Sequence, residues 1–357
     1  MAEHAARYEW RGEGEEAEIV LYAPDDTALS RILPATRLPG VESPIYAAAS
    51  RREFGWAGVS TTHVAPDLLS SPRRGLLLVS GTRSENLRVD ARELANRVPR
   101  DLQETGSRLP SINEAGIARL CESGAGAAAE DGLIEEEDLT LLDTQPGYAD
   151  ALGRRALFAG PREWQEAARS ELLVASEILD TEDAESLGLE PGALAIVSNV
   201  DAGDLGRLAL AAHGDRLRAR QEDFGAGLDL PAAPIERGEA QDLLAALYAA
   251  ANFADARLAR TVWMLRRMLG EAMGGLDIRA AWRVGGIEER EGRLVHRRNL
   301  ALAGEGDALI SGGYAALGTG NMGSSAPPFG VSEEEDGWPW EVAGLLERLA
   351  ALDPPEG

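Results

Sequence analysis

Apolar residues recur at helical spacing most persistently over residues 240–270, AQDLLAALYAAANFADARLARTVWMLRRMLG. The period predicts one long helix, with Gly270 as its stop. Trp263, Met264 and Met268 fall on its apolar positions and are expected to be core. Shorter helical patterns cover 90–98, 113–131 (ending at Gly132), the acidic 135–142 and 180–188, 204–221, and an amphipathic tail at 340–352. The apolar run in RRGLLLVSGTR, 73–83, predicts a buried strand that ends in a glycine turn. LEPGALAIVSNV, ending at Val200, reads as a turn followed by a strand. Further strands are expected at 278–284 and 293–296, and a strand or hairpin with a glycine turn over 8–21. Residues 41–80 mix small and aromatic residues. The run SEEEDG at 332–337 reads as a solvated loop. No internal repeat and no shift in composition divides the chain, so one domain spanning 1–357 is expected.

Charge and composition narrow the chemistry. The net charge is −25, which repels a polyanion at long range and disfavours RNA as a partner unless an arginine patch dominates locally. All 35 basic residues are arginine. Without lysine there is no Schiff-base amine, no lysyl-nucleotidyl nucleophile and no P-loop lysine. The single cysteine, Cys121, excludes an intrachain disulfide and any cysteine-rich metal cluster. No apolar run is long enough to span a membrane, and the N-terminus carries no signal segment. A cytoplasmic protein is expected.

The glycine-rich stretch 294–330, LVHRRNLALAGEGDALISGGYAALGTGNMGSSAPPFG, offers a loop-and-strand platform for a phosphate or nucleotide. Glycines let backbone amides approach a ligand closely. Within it, GYAALGTGNMG has the glycines of a dinucleotide fingerprint but neither its strand–turn–helix context nor its acidic residue. No G-x-S-x-G elbow is present. The four histidines, His4, His63, His213 and His296, lack metal-ligand spacing; only His63 and His296 lie near turn chemistry. Arg207, Arg216, Arg218 and Arg220 alternate with Asp204, Asp215 and Glu222, the pattern of a salt-bridged solvent face.

Five segments in order resemble the RtcB family of GTP-dependent RNA ligases. They are AEDGLIEEEDL at 129–139, ESLGLEPGALAIVSNVDAGDLG at 185–206, AANFADARLAR at 250–260, IEEREGRLVHRRNLALAGEG at 287–306 and GSSAPPFG at 323–330. The resemblance implies an RtcB-like α+β fold, central β-sheets flanked by helices. In that family it implies joining of RNA ends bearing a 3′-phosphate or 2′,3′-cyclic phosphate to a 5′-hydroxyl, with manganese and a histidine–GMP intermediate.

At the positions that carry this chemistry the chain departs from the family. The metal-binding D-x-x-C-G turn aligns with 77–81, placing Leu77 at the aspartate and Ser80 at the cysteine. The G-N-H-F turn aligns with 160–163, putting Arg162 near a metal histidine. Asn199 and Trp282 take the other two. Pro327 stands at the guanylylated histidine and Glu356 at the terminal lysine. Manganese takes carboxylate, imidazole and water oxygens, which this set does not supply. A proline has no side-chain nitrogen to form a phosphoramidate.

The expected reading is therefore a non-catalytic RtcB-like protein with no catalytic residue, metal or cofactor. Its role would be binding, regulatory or structural, toward a protein partner and linked to RNA repair or processing. Two alternatives involve a ligand. One is an active ligase using manganese and GTP, with relocated ligands such as His63, His296 and acidic residues. The other is a metal-free anion or nucleotide pocket built from Arg162, Arg283, His296, Arg297 and Arg298.

Overall fold

The computed structural model describes residues 19–22, 35, 37–49, 54–83, 111–142, 144–170, 172–177, 190, 193–221, 231–271, 273–290, 292–298, 300–304, 307–310 and 315–316. The strands, in chain order, are β1 (Ile19–Tyr22), β2 (Val41–Ala49), β3 (Phe54–Ser60), β4 (His63–Val64), β5 (Arg73–Arg83), β6 (Leu172–Glu177), β7 (Ala193–Asp201) and β8 (Ala233–Pro234). They continue as β9 (Leu276–Arg290), β10 (Arg293–Arg298), β11 (Leu300–Gly304), β12 (Asp307–Ile310) and β13 (Ala315–Ala316). The helices are α1 (Glu114–Glu130), α2 (Ala149–Leu152), α3 (Arg154–Ser170), α4 (Gly203–Ala219) and α5 (Gly238–Leu269). This is a mixed α+β chain. Among the described residues no helix is long and apolar enough to cross a membrane.

Eight strands form the main sheet in the order β1-β2-β3-β10-β9-β5-β7-β6. Every pair is antiparallel except β1 with β2. β9 is the seam. Its first part, Leu276 to Gly285, pairs with β5, and its last part, Gly286 to Arg290, pairs with β10. The changeover falls on a Gly-Gly pair for a steric reason. A Cβ on Gly285 would lie 2.4 Å from the Ser71 carbonyl oxygen, and Gly286 has φ +86°. Only glycine combines that approach with that dihedral.

α5 lies against the sheet on one side and against α1, α2 and α4 on the other. It is therefore buried all round: every residue from Ala246 to Val262 is inside, as expected of a helix with no solvent face. Leu76 and Leu78 of β5 meet Leu258, Ala259 and Val262 of α5 in one core cluster. Phe253 and a run of alanines meet Ile117, Leu120 and Cys121 of α1 in a second. The alanines let the helical layer approach α5 closely.

α1 begins at Asn113, whose side chain accepts from Gly116 N at 2.9 Å, and breaks at Gly124 (φ 51°, ψ −130°). A break frees carbonyls that an unbroken helix would use. Here the fully buried Asn252 of α5 donates to Cys121 O (2.8 Å), and Thr144 donates to Ser123 O (3.2 Å). Asn252 also accepts from Gln145 N (2.8 Å) and donates to Gln145 O (2.9 Å). One side chain thus ties three segments together.

Most periodic segments appear where the pattern places them. Residues 113–131 are α1, 204–221 are α4, 240–270 are α5 and 73–83 are β5, and the acidic 135–142 is a 3-10 helix, Glu136–Leu141. The strands expected at 278–284 and 293–296 are present and run longer, as Leu276–Arg290 and Arg293–Arg298. One expectation is corrected. The turn expected at 160–163 lies inside α3, despite Pro161. Gly160 sits there against Ile117 of α1, at a distance that leaves no room for a Cβ. The hairpin over 8–21 is described only at its end, where 19–22 form β1. The helices expected at 90–98, 180–188 and 340–352, and the loop at 332–337, lie outside the described residues.

Replacing Gly285 by Ala should destabilise the protein by about 1–3 kcal/mol, because a backbone oxygen must move to admit the methyl group. Urea unfolding monitored by circular dichroism measures this. An unchanged midpoint would contradict the seam described here.

Candidate functional site

The positions carrying the family resemblance come partly together. Gly75 of β5 pairs with Asn199 on one side and with Trp282 on the other. Leu77 lies two residues further along β5 and is 1% exposed. Ser80, buried, pairs with Leu276 near the other end of the strand. It lies five positions along from Gly75, about 17 Å of strand. Trp282 is half-buried, and Arg162 is exposed on α3. Pro327 and Glu356 lie outside the described residues. Leu77 and Trp282 offer a hard dication no lone pair, so these positions do not fit a manganese pair.

Charge is instead concentrated around α5. Asp255, 0% exposed, receives two bonds from the guanidinium of Arg74 on β5; the Nη2–Oδ2 bond is 2.6 Å. Parallel bonds of this kind are the strong geometry for an arginine–carboxylate pair. Arg257, also fully buried, donates to the Asp201 carbonyl oxygen at the end of β7. Its Nη1 lies 3.4 Å from the Asp201 carboxylate and 3.9 Å from that of Glu163 on α3. The Arg260 guanidinium lies 5.0 Å from the Trp164 ring centroid. At the C-terminal end of α5, Arg266 pairs with Asp138 and donates to Leu276 O (2.8 Å). Together these contacts join α5 to β5, β7, β9, α3 and the 3-10 helix, so the network positions sheet, helical layer and 3-10 helix relative to one another.

A second buried cluster lies between β9 and β10. Glu288 is flanked by Arg297 (2.8 Å) and Arg283 (3.4 Å), all three buried. Beside them His296, 0% exposed, stacks on Trp56 at 6.2 Å. Its Nδ1 lies 3.3 Å from Leu294 O, and its Nε2 has no hydrogen-bond partner among the described residues. Four residues of the alternative anion pocket lie in or beside this cluster. Arg283 and Arg297 face a carboxylate inside the sheet, His296 is enclosed, and Arg298 is exposed and donates to Asp67 O (3.0 Å).

His63 contacts Thr62 Oγ1 (2.9 Å), and His213 contacts Ala151 O (2.8 Å). Among the described residues no three of His, Cys, Asp and Glu gather as a ligand group. The arginines of α4 form the expected surface pairs, Arg207 with Asp204 and Arg218 with Asp215 (2.7 Å) and Asp67.

A cavity of about 410 Å³ opens between the first half of α5 and the β9–β10 hairpin. Leu244, Ile235 and Leu294 give it apolar walls, and Tyr248, Glu289 and Tyr148 give it polar groups. Sequence reasoning did not single these residues out. They come from four separated segments, and no local pattern marks them. The buried charges of α5 did carry a signal: Asp255, Arg257 and Arg260 interrupt an apolar helix too continuous to present a solvent face.

The chain matches no known protein family and no curated protein.

Asp255→Asn should cost about 3–5 kcal/mol, since it leaves Arg74 buried opposite a neutral group. The double change Asp255→Leu with Arg74→Met should recover much of that loss, because it removes both buried charges. Urea midpoints at constant m-value measure both, and an additive double mutant would refute the pairing.

Burial lowers the pKa of His296 from 6.5 to about 4, against a weaker opposing contribution from its contact with Leu294 O. Between those values the unfolded chain binds a proton that the folded chain does not. Stability from this residue is therefore full above pH 6.5 and falls as pH drops toward 4, by about 3 kcal/mol in all. His296→Phe should flatten the pH slope of the unfolding free energy by that amount, and an identical slope would exclude it.

Proposed function

We propose that this chain is a non-catalytic RtcB-like protein of the cytoplasm. Its scaffold would serve binding to another protein, in a regulatory or structural role linked to RNA repair or processing. One observation carries the reading. Of the positions where the resemblance expects metal ligands, those closest together in the sheet surround Gly75, and there Leu77 is sealed into the core and Trp282 is an indole.

The surroundings support it. The resembling AANFADARLAR segment supplies Asn252, Asp255, Arg257 and Arg260, whose contacts hold α5 in place. The HRR of the resembling LVHRRN segment supplies two residues buried inside the sheet. Retained segments thus serve packing, while positions for chemistry hold residues unsuited to it. An overall charge of −25 points to a protein partner rather than RNA, because long-range repulsion opposes a polyanion.

The purified protein should give no product when incubated with manganese, GTP, a 3′-phosphate RNA and a 5′-hydroxyl RNA. It should also show no thermal shift with GTP and manganese, since only a ligand of the folded state raises its stability. Ligation that requires both manganese and GTP would overturn the reading.

A further inference from the structure

We infer that the cavity between α5 and the β9–β10 hairpin is a binding site for a small organic cation, an alkylammonium or alkylguanidinium on a short apolar stem. This goes beyond the proposed function and does not depend on it.

The site is a half-open cleft between elements of regular structure. Its floor is the first half of α5, where Leu244 and Tyr248 are buried. One wall is the hairpin, with Glu289 paired to Leu294 across the strands. The rim near Tyr148 is fixed from behind. Gly147 lies so close to α5 that a Cβ on it would fall 2.3 Å from Ala249 N, and Gln145 is held by Asn252 on both its backbone groups. A volume of about 410 Å³ suits a small molecule or one long side chain.

Two features choose the ligand. The first is an unused polar group. Tyr248 is 5% exposed, and its hydroxyl has no hydrogen-bond partner among the described residues. Buried hydroxyls are almost always bonded, because leaving one unmade is costly. Burial, and next the Glu289 carboxylate, push the Tyr248 pKa up, so the phenol stays protonated and neutral.

The second feature is the sign of the charge. Glu289 is exposed and is the one charged residue lining the cavity among the described residues. Tyr148, 66% exposed, presents an aromatic ring at the same rim. A carboxylate and a π face both favour a cation and disfavour an anion. The net charge of −25 adds an attractive field for a cation. Leu244, Ile235 and Leu294 would cover the stem, while Glu289 would receive the N–H groups and a small rotation of Tyr248 would bring its buried hydroxyl to them. Such a group could arrive as a free amine or as an arginine side chain of a peptide.

The test uses isothermal titration of the full-length protein with agmatine, with a terminally blocked Gly-Arg-Gly peptide, and with butyrate and 1-butanol as anionic and neutral controls. Agmatine or the peptide should bind saturably at one site, and the tighter of the two identifies the source. Glu289→Gln should weaken binding by about tenfold or more, the loss expected for a hydrogen bond to a charged group. Tyr248→Phe should weaken it by about threefold to tenfold without lowering the unfolding midpoint, because its hydroxyl has no partner to lose. The inference is overturned if neither cation binds below about 10 mM, if butyrate or butanol binds as tightly, or if Glu289→Gln leaves the affinity unchanged. RNA ligation by the wild type would refute the proposed function and leave this site standing.

Discussion

The pairing of Asp255 with Arg74 is the constraint on which the arrangement of layers depends. From Ala246 to Val262 α5 is enclosed on every side, so a charge there has no water to face. An isolated carboxylate there would cost several kcal/mol. Arg74 removes that cost only when β5 runs across α5 at one position. Arg257 and Arg266 repeat the requirement at the end of β7 and at the 3-10 helix. Hydrophobic burial brings the layers together, but it tolerates sliding. The charge pairs and the Asn252 bonds do not.

The same economy explains the sheet. β9 joins two groups of strands by pairing with β5 along one part and with β10 along the other. The joint at Gly285 and Gly286 is dictated by contact with Ser71 and Pro72. Around it lies the buried trio Arg283, Glu288 and Arg297. The basic cluster around residue 297 looks in sequence like an anion site, yet His296 and Arg297 are buried and only Arg298 is exposed. Their partner, Glu288, stands nine residues earlier and reaches Arg297 only once the hairpin forms.

The candidate sites were unevenly legible. Leu77 and Trp282 are visible in sequence as residues without ligand chemistry. Their closeness around Gly75 is a matter of strand register, which no local pattern encodes. The cavity was not legible at all. Tyr248 reads as one more apolar position of a long helix, and Glu289 as one of many acids. The turn expected at residues 160–163 from the family resemblance shows the opposite error: the segment is helical through Pro161, with Gly160 packed against Ile117.

What the sequence determined by itself follows from short-range physics. Helical period fixes α1, α4 and α5, a run of apolar residues fixes β5, and the absence of lysine removes whole classes of chemistry whatever the fold. The tertiary structure decided everything that depends on who meets whom. It buried Arg283, His296 and Arg297, which the sequence offers as part of an anion pocket, and it left the Tyr248 hydroxyl without a partner among the described residues, beside a cavity. The reason is that burial and pairing are properties of two or more segments brought together. A charge in a sequence carries its sign, but its partner and its dielectric surroundings exist only after the chain has folded.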